Sequence, residues 1–423
     1  MTQSTPASNG KFWPWILWGW AATFYFYGFF QRVAPSVMVT DLMADFAVSA
    51  VVLGNLSAFY FYAYASIQLP VGLILDSVGP RRSLFAAALL CGLGSALFGL
   101  SNAVETASMG RALVGLGAGF TWVGALKVIT LWFPPHRFAM MSGLTLMLGM
   151  VGAVTGQGPL GLLVDAAGWR HTMMLASGFG AVLAVGFWFL FPKEDVSART
   201  SHQGGARILG SLKAVLGNPQ SWVAALFGAM MTVPLLAFYG LWGVPYLMTA
   251  FNLERPVAAT IISIGFMGWG VGAPLAGWLS DRFGRRKLPM LLSATGSAVT
   301  ISAILYLPGL PLVLDQVLLF VNGVLSGGMV LCFALGREHN QIDHAGAATG
   351  FVNTAVMSTG AIFQPFVGYL LDQNWNGALE NGARVYDVEA YNVAMLVMPI
   401  AAIGAVTVAS FGKETFCKQV HRS

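Results

Sequence analysis

The stretch GLILDSVGPRR at residues 72–82 recurs later in the chain as GWLSDRFGRRK at residues 277–287. In both copies an apolar run ends at an aspartate, Asp76 or Asp281, and a glycine and basic residues follow within six positions. Glycine permits a tight turn, and a carboxylate where a helix ends can pair with a loop arginine or with the positive N-terminus of a neighbouring helix. We therefore expect each stretch to join two helices through a short loop. Its charges either fix the topology alone or form polar contacts in one state of the molecule that break in another.

Two other pairs of short sequences indicate that the chain contains an internal duplication. GLLVD at residues 161–165 matches GYLLD at residues 368–372, and FYG at residues 26–28 matches FYG at residues 238–240. Parallel repeats that enclose a site at the midplane of a bilayer are typical of carriers that rock between two states. We predict two six-helix halves, residues 1–191 and 220–423, joined by a cytoplasmic linker, residues 192–219.

The composition places these repeats in a membrane. Of the 423 residues, 56% are hydrophobic and 9% are charged, whereas about 25% of the residues of a soluble domain are charged. A membrane helix needs roughly 20 mostly apolar residues. Apolar segments separated by short polar breaks lie at roughly 13–39, 51–75, 83–101, 106–132, 138–164, 171–191, 220–248, 257–276, 288–307, 312–335, 346–371 and 392–411. The sequence therefore predicts an all-α membrane protein with twelve transmembrane helices.

The positions of the 22 lysines and arginines predict the orientation of these helices. With both termini in the cytoplasm, Arg170, Arg255 and Arg384 are the cationic residues of the outer loops, and most of the others lie in inner loops and tails. This bias follows the positive-inside rule. It also explains the net charge of +5 without a nucleic acid as partner.

Several of these motifs resemble those of the major facilitator superfamily. The loop sequences at 72–82 and 277–287 resemble its cytoplasmic signature, and RALVGLGAG at 111–119 resembles a further motif. More narrowly, FYFYGFFQRVAPSVM at 24–38 is similar to the first span of the phagosomal amino-acid and nucleoside transporters of intracellular bacteria, and residues 35–81 resemble organic anion carriers of the hexuronate and galactonate type. The resemblance covers the whole chain. It implies the twelve-helix fold, gating by the loops and a monomer in the bacterial inner membrane.

Three cations fall inside the predicted spans, namely Arg32, Arg111 and Lys127. An ionisable residue within a bilayer is costly and indicates a functional site. All 17 acids are placed in loops or at span ends, so we expect no acidic partner for these cations and no mid-span carboxylate for proton coupling. An unpaired cation suits an anionic solute or the carboxylate of an amino acid.

Each of these cations also has a structural interpretation. Arg32 could snorkel to the outer interface and Lys127 to the inner one. Against this, Tyr25 and Ser36 share the helical face of Arg32, and a polar stripe favours a cavity. Arg111 lies about 160° around its helix from Lys127, so a straight helix cannot aim both at one cavity, which favours a structural or gating hydrogen bond for Arg111.

The other candidates for solute contact are polar or aromatic side chains near span centres, for which packing between helices is the alternative. The predicted substrate-binding set is Arg32, Tyr27, Lys127, Tyr239, Trp242, Asn353, Gln364 and Tyr60. The predicted gating set is Gly72, Asp76, Gly79, Arg81, Arg111, Asp281, Gly284 and Arg286. The spacing of cysteines and histidines predicts no metal site, and we expect neither a cofactor nor an enzyme.

These patterns predict a secondary active or facilitative transporter of a small carboxylate-bearing solute, either an organic anion or an amino acid. It would work by rocking alternating access, with import favoured. Two alternatives stay open. One is an exporter of drugs, siderophores or metabolites, since GAVTGQGPLG at residues 152–161 loosely resembles the fifth-span motif of drug/proton antiporters. The other is a non-transporting membrane sensor.

Overall fold

The fold is built from long helices, because backbone groups inside a bilayer have to be hydrogen-bonded within the chain. The computed structural model describes residues 12–68, 70–192, 205–307, 309–380 and 383–420. The helices up to the linker are α1 (Trp13–Val33), α2 (Val39–Phe46), α3 (Ala50–Ile67), α4 (Val71–Val78), α5 (Pro80–Gly99), α6 (Val104–Trp132), α7 (Phe138–Thr155) and α8 (Gly158–Leu190). The later helices are α9 (Gly205–Leu216), α10 (Pro219–Val233), α11 (Gly243–Phe251), α12 (Arg255–Phe283), α13 (Lys287–Tyr306), α14 (Leu312–Ser326), α15 (Leu331–Glu338), α16 (Ala345–Gln373), α17 (Val388–Met395) and α18 (Val397–Phe411).

The helices agree with the predicted membrane crossings. Ten segments of the described chain are long and apolar enough to cross a bilayer. One of them, Pro135–Leu190, contains a non-helical residue, Gly168, with φ +78°, that separates two crossings. With this division, and with the aromatic helix α1 added, the described residues accommodate twelve crossings. A two-stranded antiparallel ribbon, Leu379–Glu380 with Ala383–Arg384, lies between α16 and α17.

Several of the membrane crossings contain a break in the regular α-helix. The fifth predicted span breaks between α7 and α8, where Gln157 has φ −112° and ψ −100°. The seventh continues from α10 into a π-helical segment, Pro234–Trp242, before α11. A π-helical turn offsets the side chains that follow it and is frequent at functional sites. Gln157 and the π-helical segment both lie where the two halves meet.

The two halves pack through equivalent pairs of helices. Helix α3 lies against α16, and α8 and α7 lie against α12. Close approach depends on glycine: a Cβ at Gly54 would be 2.6 Å from the Gln364 carbonyl oxygen, and one at Gly368 would be 2.3 Å from that of Ala50. The halves are therefore in direct backbone contact at these points.

Part of the predicted linker falls outside the described residues, since residues 193–204 are not among them. Residues 205–216 form the separate helix α9. The residue limits 1–191, 192–219 and 220–423 stay a prediction.

Candidate functional site

The side chain of Arg32 is enclosed by aromatic rings. Arg32 lies in the last turn of α1 and is 7% exposed. Its Nε donates a hydrogen bond of 3.3 Å to the hydroxyl of Tyr60, and its guanidinium carbon lies 4.2 Å from the ring centroid of Phe29 and 5.3 Å from that of Tyr64. Aromatic faces attract a cation, but burial of an unpaired charge stays costly. Among the described residues no carboxylate forms an ion pair with Arg32.

Arg111 lies on the other side of the same tyrosine. It is 2% exposed, and its guanidinium carbon is 5.0 Å from the Tyr60 ring centroid. Nη1 donates to the Gln31 carbonyl oxygen at 2.7 Å, while Nε and Nη2 are buried without a partner in the described structure. This geometry agrees with the hydrogen bond between spans that the sequence favoured for Arg111. Its predicted role in gating stays a prediction.

Tyr27 and Tyr239, the repeat mates, each pack inside their own half. The Tyr27 hydroxyl donates to the Ala176 carbonyl oxygen at 2.8 Å and accepts from Gln31 Nε2 at 2.7 Å. The Tyr239 hydroxyl donates to Asn322 Oδ1 at 2.8 Å. These bonds give both tyrosines a structural role, and their contact with a solute stays a prediction.

The indole and amide side chains predicted for the C-terminal half form hydrogen bonds of their own. Trp242 Nε1 donates to the Gln364 carbonyl oxygen at 2.9 Å, and Gln364 Nε2 donates to the Leu236 carbonyl oxygen at 2.8 Å. Asn353 Nδ2 donates to Gln68 Oε1 at 2.8 Å, which joins α16 to the chain just after α3. Trp242 and Gln364 thus hold α16 against the π-helical segment, whereas Asn353 connects the two halves.

The structure corrects the expectation for Lys127. Its Nζ lies 2.6 Å from Asp76 Oδ1, so this cation has an acidic partner. The side chains are 29% and 63% exposed, respectively. Sequence reasoning allowed Lys127 to snorkel, but it missed the pair because it expected Asp76 to contact a loop arginine or a helix N-terminus.

The rest of the first loop is held by turn geometry and by one aromatic contact. Gly79 has φ +86°, a conformation that favours glycine, and a Cβ at Gly72 would meet no atom within 4 Å. Arg81 Nε donates to the Trp188 carbonyl oxygen at 3.0 Å, and its guanidinium carbon lies 4.7 Å from the Trp188 ring centroid. The loop is therefore fixed to α8 of its own half.

The second loop carries a larger ion-pair network. Arg286 Nη1 lies 2.7 Å from Asp281 Oδ1, and Arg286 Nη2 lies 2.7 Å from Glu338 Oε1. Gly284 forms the turn between α12 and α13 with φ +61°. Glu414 accepts from the backbone N–H of Arg286 at 2.7 Å. The repeat predicted Asp281, Gly284 and Arg286, but it gave no signal for Glu338 or Glu414, which come from distant parts of the chain.

At the end that the basic loops predict to be the outer one, the two halves are joined by two sets of polar contacts, here called clasps. In the first, Arg255 at the start of α12 lies 2.8 Å from Asp41 and 3.0 Å from Asp165. In the second, Asp372 accepts from the backbone N–H of Val51 at 2.9 Å and of Ala50 at 3.2 Å. Asp165 and Asp372 are the matched aspartates of the GLLVD and GYLLD repeats, so the two clasps are related by the duplication.

The two sides of the molecule differ in whether their ion pairs join the two halves. Ion pairs that join the halves, where both partners are described, lie at Arg255 on the outer side. The inner pairs Asp76–Lys127 and Asp281–Arg286 are each within one half. The described ion pairs between the halves therefore lie at the end that the basic loops predict to be the outer one.

Asp315 lies at a span end, as the sequence predicted, but its burial was not predicted. It is 0% exposed in the first turn of α14, and neither carboxylate oxygen has a hydrogen-bond partner in the described structure. Burial of a helix end depends on the chain that covers it, which a hydropathy pattern does not report.

A family model supports the resemblance seen in the motifs. The model described as Major Facilitator Superfamily matches residues 19–365 and, in a second match, residues 235–415. The chain belongs to the major facilitator superfamily. It is a multi-pass membrane protein with the fold that the two loop sequences predicted.

Superfamily members related to this chain include carriers of organic anions. It is 24% identical over 375 residues to the probable sulfoacetate transporter SauU of Cupriavidus necator, covering 82% of this chain and 85% of that one. It is 24% identical to the hexuronate transporter of Bacillus subtilis, covering 85% and 89%, respectively. It is also 26% identical to the membrane sensor protein UhpC of Salmonella typhimurium, covering 90% and 89%. The narrower resemblance to organic anion carriers is thus confirmed.

A solved superfamily structure has the same fold. A bacterial homologue of the human lysosomal transporter Spinster, in an inward-facing and occupied conformation, superposes with a TM-score of 0.75 at 16% identity, covering 96% of this chain and 97% of that one. At this identity the likeness concerns the fold alone.

Proposed function

We propose that this chain is a secondary active or facilitative carrier that moves a small carboxylate-bearing solute across the bacterial inner membrane, in the direction of import. The observation that carries the proposal is the Arg32 guanidinium, which is buried among aromatic rings and lacks an ion-pair partner among the described residues. A carboxylate can bind a guanidinium through two parallel hydrogen bonds. The printed names of two relatives, a sulfoacetate transporter and a hexuronate transporter, support a solute of this class.

In this proposal Arg32 holds the carboxylate, and Tyr60 orients the guanidinium. Asn353 and Gln68 close the site from the inner side, because their hydrogen bond joins the halves below it. We assign Lys127 to the inner gate rather than to the solute, since its ammonium group already pairs with Asp76.

In the proposed transport cycle, polar contacts join the two halves on one side of the molecule at a time. The clasps at Arg255 and Asp372 would break when the outer side opens, and the loops at residues 72–82 and 277–287 would then join the halves on the inner side. Both termini would lie in the cytoplasm, which places the more basic loops on that side. A single chain contains both halves, so we expect the monomer to be the working unit.

Uptake by purified protein in proteoliposomes tests the proposal. A thermal-shift screen of amino acids, sugar acids and dicarboxylates first selects the solute. Arg32→Ala should abolish saturable uptake, and Arg32→Lys should restore only part of it, because lysine lacks the planar group that stacks on rings and binds a carboxylate through two bonds. Arg137→Ala, at an exposed inner loop, is the matched control. Unchanged uptake by Arg32→Ala would refute the site.

A membrane sensor is the second candidate, because the relative UhpC carries that name. A sensor would bind the same carboxylate through Arg32 with a thermal shift but would show no flux in proteoliposomes. An exporter would instead make a deletion strain more susceptible to its solute.

A further inference from the structure

A groove with a volume of about 180 Å³ lies between α12, α13 and α14. It is lined by residues within 272–283 of α12 and 288–293 of α13, and by Val324 and Leu325 of α14. Among these lining residues Ser293 alone has a polar side chain. An apolar cavity of roughly 150 Å³ stays dry and binds hydrocarbon, so this groove suits a hydrocarbon chain rather than water or a carboxylate.

The packing of α12 explains why this space exists. At the outward end of the groove α12 and α14 are in backbone contact: a Cβ at Gly268 would be 2.2 Å from the Phe320 carbonyl oxygen, and one at Gly272 would be 2.0 Å from that of Val324. Pro274 follows inside α12, and a proline within a helix removes a hydrogen bond and bends the helix. The bend leaves a space between α12 and α13, although a short turn joins the two helices.

The equivalent place in the first half is packed differently. There Leu84 of α5 lies against α6, and a Cβ at Gly124 would be 2.4 Å from Leu84 Cδ2. The repeat places Pro289 of α13 at the position of Leu84. A proline side chain reaches less far towards the neighbouring helix than a leucine side chain does, so the duplication alone does not account for the groove.

The groove has the length and the position of a lipid chain. From Gly272 to Phe283 it follows α12 for about 16 Å at 1.5 Å per residue. One leaflet of the hydrocarbon core measures about 15 Å, because the whole core is about 30 Å thick. Phe283 and Leu292, which line the groove, are 61% and 63% exposed. The groove is thus open along the depth of one leaflet, where the surrounding molecules are phospholipids.

Two arginines lie at the inner end of the groove, on the side that the basic loops predict to be cytoplasmic. Arg282 is two turns from Leu275 on the same face of α12, and Arg285 lies in the turn that precedes Leu288. Both arginines are exposed, and within the described part of the chain neither guanidinium forms a hydrogen bond or an ion pair. Two unpaired cations therefore lie where the headgroup of a lipid in the groove would be.

The neighbouring acids do not neutralise these two cations. Asp281 and Glu338 pair with Arg286, and Glu414 accepts from the backbone N–H groups of Arg286 and Lys287. Anionic lipids of the cytoplasmic leaflet attract basic residues near the membrane surface. A zwitterionic headgroup would bring a cation of its own towards the arginines, so charge complementarity favours a phospholipid with a net negative charge.

We propose that this groove binds an acyl chain of an anionic phospholipid from the inner leaflet, and that the phosphate group of the lipid lies at Arg282 and Arg285. The site goes beyond the proposed carriage of a solute, because it faces the bilayer and does not involve Arg32. The bound lipid connects the end of α12 to the start of α13, next to the ion pairs of Arg286, and so stabilises the second inner loop.

Photolabelling in proteoliposomes tests the charge preference. The vesicles contain equal amounts of phosphatidylglycerol and phosphatidylcholine with identical chains, and one of the two lipids carries a photoactivatable group in its acyl chain. In the wild type, phosphatidylglycerol should modify residues 275–293 roughly 25-fold more than phosphatidylcholine, because each arginine strengthens binding about fivefold. Arg282→Gln/Arg285→Gln should bring the two lipids to near equality, whereas Arg137→Gln/Arg337→Gln, at two exposed arginines of inner segments, should keep the preference. Equal modification by both lipids in the wild type would overturn the inference.

Two further variants test the groove and the charge separately. Leu292→Trp places a larger side chain in the groove and should reduce modification by phosphatidylglycerol several-fold. Val299→Trp is the matched control, because Val299 lies two turns outward on the same face of α13, is 64% exposed and does not line the groove. Arg282→Lys/Arg285→Lys should retain the preference for phosphatidylglycerol. Unchanged modification in Leu292→Trp, or loss of the preference in the lysine variant, would contradict the site. Photolabelling requires no solute, so a failure of the proposed function would leave these results unaffected.

Discussion

At the scale of single residues, the three buried or half-buried cations of the N-terminal half differ in what surrounds them. Arg32 is enclosed by rings, Arg111 shares one of these rings and donates to a carbonyl oxygen, and Lys127 pairs with an acid. The sequence assigned Arg32 and Lys127 to the solute and Arg111 to a structural or gating hydrogen bond, but it gave no acidic partner to any of the three. The surroundings of each cation depend on the rotation of its helix and on which acidic side chain a neighbouring helix end places near it. Only the packed helices determine both.

The Lys127–Asp76 pair leads to a prediction that separates a gate residue from a solute contact. Lys127→Gln and Asp76→Asn should each slow uptake while leaving solute affinity within about twofold, since a partly exposed pair contributes roughly 0.5 kcal/mol. The double variant should be no slower than the slower single variant, because both substitutions break one interaction. Binding and uptake measured on the same preparations check this result. A tenfold weaker affinity in Lys127→Gln alone would place Lys127 at the solute.

At the scale of elements, the C-terminal tail acts as a part of the second inner loop. Glu414 accepts from the backbone N–H groups of Arg286 and Lys287 at 2.7 and 3.0 Å, where α13 begins. The Val420 N–H donates to the Glu338 carbonyl oxygen at 2.9 Å. Partial burial alone would raise the pKa of Glu414, but the backbone donors outweigh it and hold the pKa below its usual value. The charged form of Glu414 therefore stabilises the docked tail.

The sign of this pKa shift predicts how docking of the C-terminal tail depends on pH. Docking is fully stabilised above the ordinary glutamate pKa of about 4.3 and is lost as the pH falls through the lower value of the docked state. Glu414→Gln should release the tail already at pH 7. Amide hydrogen exchange of the tail peptide, corrected for intrinsic rates, should then be several times faster than in the wild type. Glu389→Gln, an exposed acid of an outer helix, should leave exchange unchanged, and slow exchange in Glu414→Gln would contradict the docking role.

At the scale of the whole molecule, the duplication was the most informative feature of the sequence. The repeats at residues 161–165 and 368–372 predicted two related halves, and the structure places their aspartates in the two outer clasps. The partners of these aspartates could not be predicted, because Arg255 and the N–H groups of α3 belong to the opposite half. The ion pair between Glu338 and Arg286 was missed because these two residues are far apart in the sequence. A hydropathy pattern locates spans, but contacts between spans need their relative position.

The two outer clasps should together determine how often the outer side opens. Each clasp consists of partly exposed groups and contributes about 1 kcal/mol. Arg255→Gln or Asp372→Asn should therefore raise the outward-open population roughly fivefold. Because the clasps are separate, the double variant should raise this population by about the product of the two single increases. Ser36→Cys, which is 1% exposed in the closed state, reports this population through labelling by an impermeant maleimide added outside. Cys417→Ser removes the one native thiol of the described chain that is not buried. Equal labelling with and without the clasps would show that apolar packing, with Gly54 and Gly368 at the contact, closes the outer side by itself.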